Sequence, residues 1–160
     1  LVWLGGSHAT GNAPDWWARG AGDRPLPAAL RFTPLDGGPE RGLADAVPGR
    51  PMVVSLWASW CGPCRVELPV LAAAQRAHPD VGFVFVNQGE APGVAREYLR
   101  EQGLALDTVW LDPGSRLGPA VGSRGLPTTL FVDAQGRVRH VHLGVINEAG
   151  LAARLATLRR

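Results

Sequence analysis

Apolar positions along the chain fall into short, dense runs separated by glycine, proline and charged residues. Residues 52–57, Met-Val-Val-Ser-Leu-Trp, are apolar, β-branched and short, which predicts a buried strand, and residues 81–86 predict a second. Between them, residues 62–77 have helix-forming composition. Val66, Val70, Leu71, Ala74 and Ala77 make its apolar stripe, and Pro69, which lacks an N–H, is the expected kink. Residues 94–102 predict an amphipathic helix with Val94, Tyr98 and Leu99 inward and Gly103 as its stop. Residues 108–111 predict a short strand, and 115–120 a short, broken helix. Residues 128–132 and 137–143 are predicted strands joined by the hairpin signal Asp133-Ala134-Gln135-Gly136. Asn147 can cap a last helix carrying Leu151, Leu155 and Leu158 at i, i+4 and i+7, with Arg159-Arg160 at the favourable end of its dipole. Upstream, residues 30–35 read as an edge strand cut by Pro34, and 43–46 as a helical turn ahead of Pro48-Gly49.

This order sets the fold class. The leading strand–helix–strand units demand parallel neighbours with right-handed crossovers, and the closing hairpin demands an antiparallel pair. The expectation is an α/β fold with a mixed central sheet and helices on both faces. The domain is expected over residues 28–160. Residues 1–27 read as an N-terminal extension rich in Gly, Ala, Pro and Asp, pinned by Trp16-Trp17. The opening Leu1-Val2-Trp3-Leu4 reads either as the stub of an excised signal or anchor or as a plain apolar start, and nothing in the sequence chooses between them.

Composition narrows the chemistry. A chain of 160 residues is one domain's worth and needs neither metal nor disulfide to fold. With 46% apolar and 19% charged residues it is globular, and no apolar run approaches the ~18–20 residues of a membrane span. A net charge of +2 with scattered arginines argues against a nucleic-acid binder. All sixteen basic residues are Arg, which excludes lysine Schiff-base and general-base chemistry. Two cysteines are too few for a disulfide framework, and a zinc ribbon would want a second pair. His140 and His142 share a strand face and read as surface polar residues.

The chemistry concentrates in Trp60-Cys61-Gly62-Pro63-Cys64. A Cys-x-x-Cys that follows a buried strand and opens a helix puts its first sulfur where free N–H groups and the helix dipole stabilise an anion. The thiolate is the nucleophile of disulfide exchange, so the placement activates Cys61. Cys64, one turn on, lies within disulfide reach and can resolve a mixed disulfide. Pro63 fits the first helical turn, where its missing donor costs nothing. A second segment, Gly125-Leu126-Pro127-Thr128-Thr129, places a proline at the entry to a strand. A cis Leu126–Pro127 bond would expose the backbone of Leu126 for strand-like pairing with a partner peptide near the thiols.

The run Trp57-Ala58-Ser59-Trp60-Cys61-Gly62-Pro63-Cys64-Arg65-Val66-Glu67-Leu68-Pro69 resembles the active-site stretch of thioredoxin-fold proteins. Its Arg-x-Glu-x-Pro continuation resembles the TlpA/ResA/CcmG-like group of bacterial extracytoplasmic thiol–disulfide oxidoreductases. The likeness runs from about Leu30 to the C-terminus and takes in the stretch 87–122, the Gly-Leu-Pro-Thr-Thr segment and the 133–136 hairpin. It implies a thioredoxin fold with an N-terminal extension and a central insert. Cys61 becomes the nucleophilic thiol, Cys64 the resolving thiol and Pro127 the cis-proline facing them. Glu67 becomes the acid that tunes the thiols, against the plainer reading of a solvated first-turn glutamate. From the residues themselves, Trp60, Gly62, Pro63 and Leu126 are the expected substrate-docking residues, with Trp57, Trp110 and Phe131 in the core. No cofactor is expected beyond the redox-active Cys61–Cys64 pair, and no metal.

One departure matters. Six residues before the first cysteine, cytosolic thioredoxins carry a buried aspartate, and here the residue is Ser55, so a proton relay must use Glu67 or water. Glu90, in Asn87-Gln88-Gly89-Glu90, sits at a strand end and reads as an ordinary loop acid. The Gly62-Pro63 dipeptide matches thioredoxin, whose potential is near −270 mV, which leans towards a reductase. The resemblance implies a periplasmic or extracytoplasmic reductase of disulfides in exported proteins, with apocytochrome c or copper-site cysteines as candidate substrates. A membrane electron donor of the DsbD/CcdA type would keep it reduced, and a tether to the inner membrane would lie outside this chain. The partners are protein dithiols and disulfides, with monomer as the default state. The alternatives are a disulfide oxidase or isomerase of exported proteins, and a copper metallochaperone using the thiols as soft ligands.

Overall fold

Residues 2–3 and 24–159 are described by the computed structural model. The expected Trp16-Trp17 pin and Arg160 lie outside them. The strands are β1 (Val2–Trp3), β2 (Arg24–Pro25), β3 (Thr33–Pro34), β4 (Met52–Trp57), β5 (Gly82–Gln88), β6 (Val109–Asp112), β7 (Gly125–Leu126), β8 (Thr128–Val132) and β9 (Arg137–Leu143). The helices are α1 (Gly62–Ala77), α2 (Pro92–Gln102), α3 (Leu117–Ala120) and α4 (Glu148–Leu158), with a 3-10 turn at Leu43–Asp45. Among the described residues no helix is long and apolar enough to cross a membrane.

Seven strands form one mixed sheet in the order β2-β9-β8-β4-β5-β6-β3. β4, β5 and β6 run parallel, while β8 pairs antiparallel with both β4 and β9. β4, β5 and β8 are buried along their whole length, because both faces of the sheet are covered there. Two successive right-handed crossovers in one direction put α1 and α2 on the same face. Their contacts agree: the Arg65 guanidinium of α1 lies 5.2 Å above the Tyr98 ring of α2, and Gln75 of α1 bonds the segment after α2. α4 joins them, through Ile146 before it, which donates to Glu67 of α1, and Arg159 after it, which pairs with Asp80. Gly118 of α3 lies against Leu56, on the opposite face. The thioredoxin-like α/β fold expected from the sequence is the fold observed.

Local expectations fared unequally. β8, β9 and the capped α4 appear as read. Asp133 accepts from Gln135 and Arg137 N–H in the hairpin, and Asn147 accepts from Gly150 N–H at 2.7 Å. The edge strand over 30–35 shrinks to Thr33–Pro34, with a single bridge from Phe32 to Arg41. The main sheet takes up Arg24–Pro25, inside the stretch read as extension. The stripe of α1 is rotated from the expected one. Val66 is 63% exposed and Ala77 is exposed, whereas Cys64, Glu67, Leu68, Leu71 and Gln75 face inward. The inward line of Cys64, Leu68 and Leu71 necessarily carries Glu67 with it, since i+3 and i+4 share a face. Val94 of α2 likewise stands out, 49% exposed, and Ala95 takes its place beside Tyr98 and Leu99. α1 continues through Pro69 without a break. Trp57, Trp110 and Phe131 are in the core as expected.

Candidate redox site

β4 delivers the chain to the C-terminal edge of the sheet, where the turn 58–60 leads into α1. Cys61 is the N-cap of α1, with extended φ and ψ of −86° and 108°, and its Sγ accepts the Cys64 N–H at 3.2 Å. A sulfur thus fills the position usually held by a Ser, Thr, Asp or Asn oxygen. Pro63 occupies the first turn, where no intrahelical donor is required. Cys61 and Cys64 are joined as a disulfide with their Cα atoms 5.2 Å apart. Both are fully buried in this oxidised form, while Trp60 beside them is 54% exposed and Gly62 is exposed. Sulfur at an N-cap meets unsatisfied N–H groups and the positive end of the helix dipole, so on reduction this geometry stabilises a thiolate.

The Leu126–Pro127 bond is cis, as the sequence suggested. The turn around it is pinned by Thr128, whose hydroxyl donates to the Gly125 carbonyl and accepts from the Ser123 hydroxyl, both at 2.6 Å. Leu126, expected as a docking residue, is fully buried, side chain and backbone alike. That backbone already carries a strand: β1 pairs antiparallel with β7, Val2 against Leu126 and Trp3 against Gly125.

Glu67 is not a solvated first-turn residue. It is 1% exposed, and its Oε1 accepts the Ile146 N–H at 2.9 Å. Loss of water pushes its carboxyl up to about 7; the Ile146 amide and, less, the Thr129 hydroxyl pull the other way. Thr129 lies close enough to be felt but makes no hydrogen bond of good geometry, so Glu67 Oε2 and Thr129 Oγ1 both stay unpartnered. Ser55, directly across the ladder from Thr129, is also buried with an unpartnered hydroxyl. A carboxyl raised to about 7 thus sits one helical turn beyond Cys64, with the unpartnered Thr129 hydroxyl near it and that of Ser55 across the ladder from Thr129.

Glu90 departs most from its sequence reading. Its Oε1 accepts both the Ser59 N–H and Asn87 Nδ2, each at 2.8 Å, and its Oε2 accepts the Ser59 hydroxyl at 2.5 Å. The loop acid is therefore bound to the turn that carries Trp60 and Cys61. The register explains why. Trp57 pairs with Asn87 at the ends of parallel β4 and β5, so the segments that follow them emerge side by side. No motif in the sequence marks this, because the partners are 31 residues apart. His140 and His142, expected on the surface, are half-buried with rings 6.1 Å apart. Desolvation, Arg154 and His142 hold His140 down at about 4, so it is neutral at physiological pH.

With the geometry in place, comparison with known proteins gives a consistent picture. The Redoxin family model matches residues 21–155. The chain is similar to the thiol:disulfide interchange protein HelX of Rhodobacter capsulatus, 36% identical over 110 residues, covering 69% of this chain and 61% of HelX. It is also similar to the thiol:disulfide interchange protein DsbE of Escherichia coli, 28% identical over 148 residues, covering 92% of this chain and 78% of DsbE. The chain thus spans about three fifths of HelX, less than two thirds of that relative's length. Among solved structures, MTB DsbF in its mixed oxidized and reduced forms superposes with a TM-score of 0.74 at 27% identity, covering 83% of this chain and 98% of DsbF.

Proposed function

Because the chain belongs to the redoxin family, we propose that it is an extracytoplasmic thiol–disulfide oxidoreductase that reduces disulfides in exported proteins, apocytochrome c haem-binding cysteines or copper-site cysteines among them. One observation carries this reading. The two cysteines form a disulfide whose first sulfur is the N-cap of α1, next to an exposed tryptophan, and a cis-proline leads into β8, the strand paired with the β4 that precedes them. The named activity of HelX and DsbE supports it.

In the reduced form the Cys61 thiolate attacks one sulfur of the partner's disulfide. That S–S bond breaks, a Cys61–partner disulfide forms, and the first partner sulfur leaves as a thiolate that takes up a proton. The Cys64 thiol loses its proton and attacks Cys61 Sγ. The mixed disulfide breaks, the second partner sulfur leaves as a thiolate that takes up a proton, and the Cys61–Cys64 disulfide is left. Two electrons have passed to the partner, and a membrane dithiol donor of the DsbD/CcdA type supplies two more to the Cys61–Cys64 disulfide, becoming a disulfide itself. In this reading Glu67, one helical turn beyond Cys64, takes the Cys64 proton. Its carboxyl, titrating at about 7, exchanges protons near neutral pH, whereas Ser55 cannot act as a base there. Trp60 supplies an exposed aromatic face for docking, with Gly62 and Pro63 beside it, and the Leu126 backbone supplies strand pairing once Val2 has left it.

The test is insulin reduction with dithiothreitol as electron source. Cys61→Ser abolishes turnover, and Cys64→Ser accumulates a mixed disulfide that a gel resolves. Turnover retained in Cys61→Ser would overturn the mechanism.

A further inference from the structure

The three hydrogen bonds on Glu90 serve no purpose in the exchange chemistry itself. Its hydrogen-bond partners are Ser59 and Asn87, neither of them a redox cysteine or a residue of the cis-proline turn. It is held from behind by rigid structure. Gly89, at φ +73°, turns the chain sharply after β5, and a Cβ there would stand 2.9 Å from Ser115 Oγ, so the close turn requires glycine. The Gly89 N–H donates to the Asp112 carbonyl at the end of β6. Asp112 in turn caps the Arg116 and Leu117 amides. Asn87, with no exposed surface, holds Glu90 Oε1 from β5. Glu90 is thus an arm reaching from the central strands to one residue, Ser59.

Ser59 is the residue immediately before Trp60. Its N–H and its hydroxyl are both spent on Glu90. Cys61 is fixed independently, by its disulfide and by its N–H to the Ala58 carbonyl at 3.2 Å. The element left for Glu90 to fix is therefore the indole of Trp60, the large apolar side chain at this edge that stands 54% out of the protein. An exposed aromatic anchor contributes to binding only as far as it is preorganised, since each side chain ordered on docking costs free energy.

We infer that Glu90 is a positioning residue that holds the Ser59–Trp60 backbone so that Trp60 is presented, preorganised, to protein partners. Resting on the reading of this site as a disulfide exchanger, it makes Glu90 a determinant of partner class: proteins that dock, over small disulfides that only collide. The required chemistry is a carbonyl-type acceptor plus a second polar atom that can bond the Ser59 hydroxyl, at fixed reach, not a negative charge. A glutamine carbonyl can accept from Ser59 and Asn87 while its amide donates to the Ser59 hydroxyl, which is free to turn round. An alanine can do neither.

The experiment compares Glu90→Ala, Glu90→Gln and wild type on two substrates, insulin and the small disulfide 5,5′-dithiobis(2-nitrobenzoate), with hydrogen exchange followed at the Ser59 amide. Wild-type turnover of both substrates is the control for the exchange activity itself. In Glu90→Ala, KM for insulin rises about tenfold with kcat little changed, the small disulfide reacts at the wild-type rate, and the Ser59 amide loses protection. Glu90→Gln restores KM to within about twofold of wild type. Should Glu90→Ala fail to fold, Ser59→Ala removes the hydroxyl arm alone and raises KM for insulin severalfold. Equal loss on both substrates, an unchanged insulin KM in Glu90→Ala or Ser59→Ala, or a Gln variant as impaired as Ala overturns the inference.

Discussion

Replacing Glu67 by Gln should change how the stability of the oxidised protein depends on pH, and the size of the change follows from the site. Burial raises this carboxyl from 4.5 to about 7. The folded chain therefore holds the Glu67 proton more tightly than the unfolded chain does. Between about pH 4.5 and 7 the native state binds more protons than the unfolded state, so this residue's contribution falls as pH rises. It is fully present below 4.5 and is lost by the time the pH passes 7. At about 1.4 kcal/mol per pH unit the gap comes to about 3 kcal/mol. With 1% of the residue exposed there is little water to screen it. Glutamine imitates the protonated acid. Its carbonyl keeps the Ile146 N–H, and its amide gains the unpartnered Thr129 hydroxyl as an acceptor. His140 titrates in the same window with the opposite sign, because its folded pKa is depressed to about 4, and stability from it is lost as pH falls. That contribution is common to both proteins and cancels in their difference. Urea unfolding of the disulfide-intact wild type and Glu67→Gln at pH 4.5 and 8.5 reads it directly. The two should be nearly equally stable at 4.5, and the variant more stable by about 3 kcal/mol at 8.5. Stability curves that run parallel across this range would refute the claim that Glu67 is buried and raised.

Three other outcomes follow from the same structure. Gln75, buried in α1, bonds the Ala105 carbonyl at 2.5 Å and the Asp107 N–H at 3.0 Å, so Gln75→Ala leaves two backbone groups unpartnered and should cost about 2–3 kcal/mol in urea unfolding. Asn147→Ala removes the α4 cap on the Gly150 N–H and should cost about 1 kcal/mol by thermal unfolding, with Asn147→Asp close to wild type. Because Val2 occupies the Leu126 backbone, removing residues 1–4 should lower KM for insulin without altering the reduction potential; an unchanged KM would mean that β1 does not compete with partners.

Legibility in the sequence followed the range of the interactions. α4 was readable because its cap and its three leucines lie within twelve residues, and β8 and β9 because a four-residue turn joins them. The Cys-x-x-Cys announced its own site, since strand, thiols and helix are consecutive. The stripe of α1 was misread because apolar counting assigns Val66 inward and rejects Glu67, whereas the helix is rotated to bury Cys64, Leu68 and Leu71 and takes the carboxyl along. Glu90 was misread for a different reason. Its partners become neighbours only through the Trp57–Asn87 register between parallel strands, a relation that no local pattern carries. The pairing of Val2–Trp3 with Gly125–Leu126 spans over a hundred residues and was equally invisible.

The central claim is that the Cys61–Cys64 pair gives electrons to its partners, and its reduction potential tests that most directly. The protein would be equilibrated with defined ratios of reduced and oxidised dithiothreitol, and the fluorescence of the tryptophans beside the disulfide followed. A reductase should show a value near the roughly −270 mV of thioredoxin, well below the roughly −200 mV poise of an oxidising compartment. A value near the roughly −120 mV of DsbA would make the protein a donor of disulfides and contradict the proposed direction.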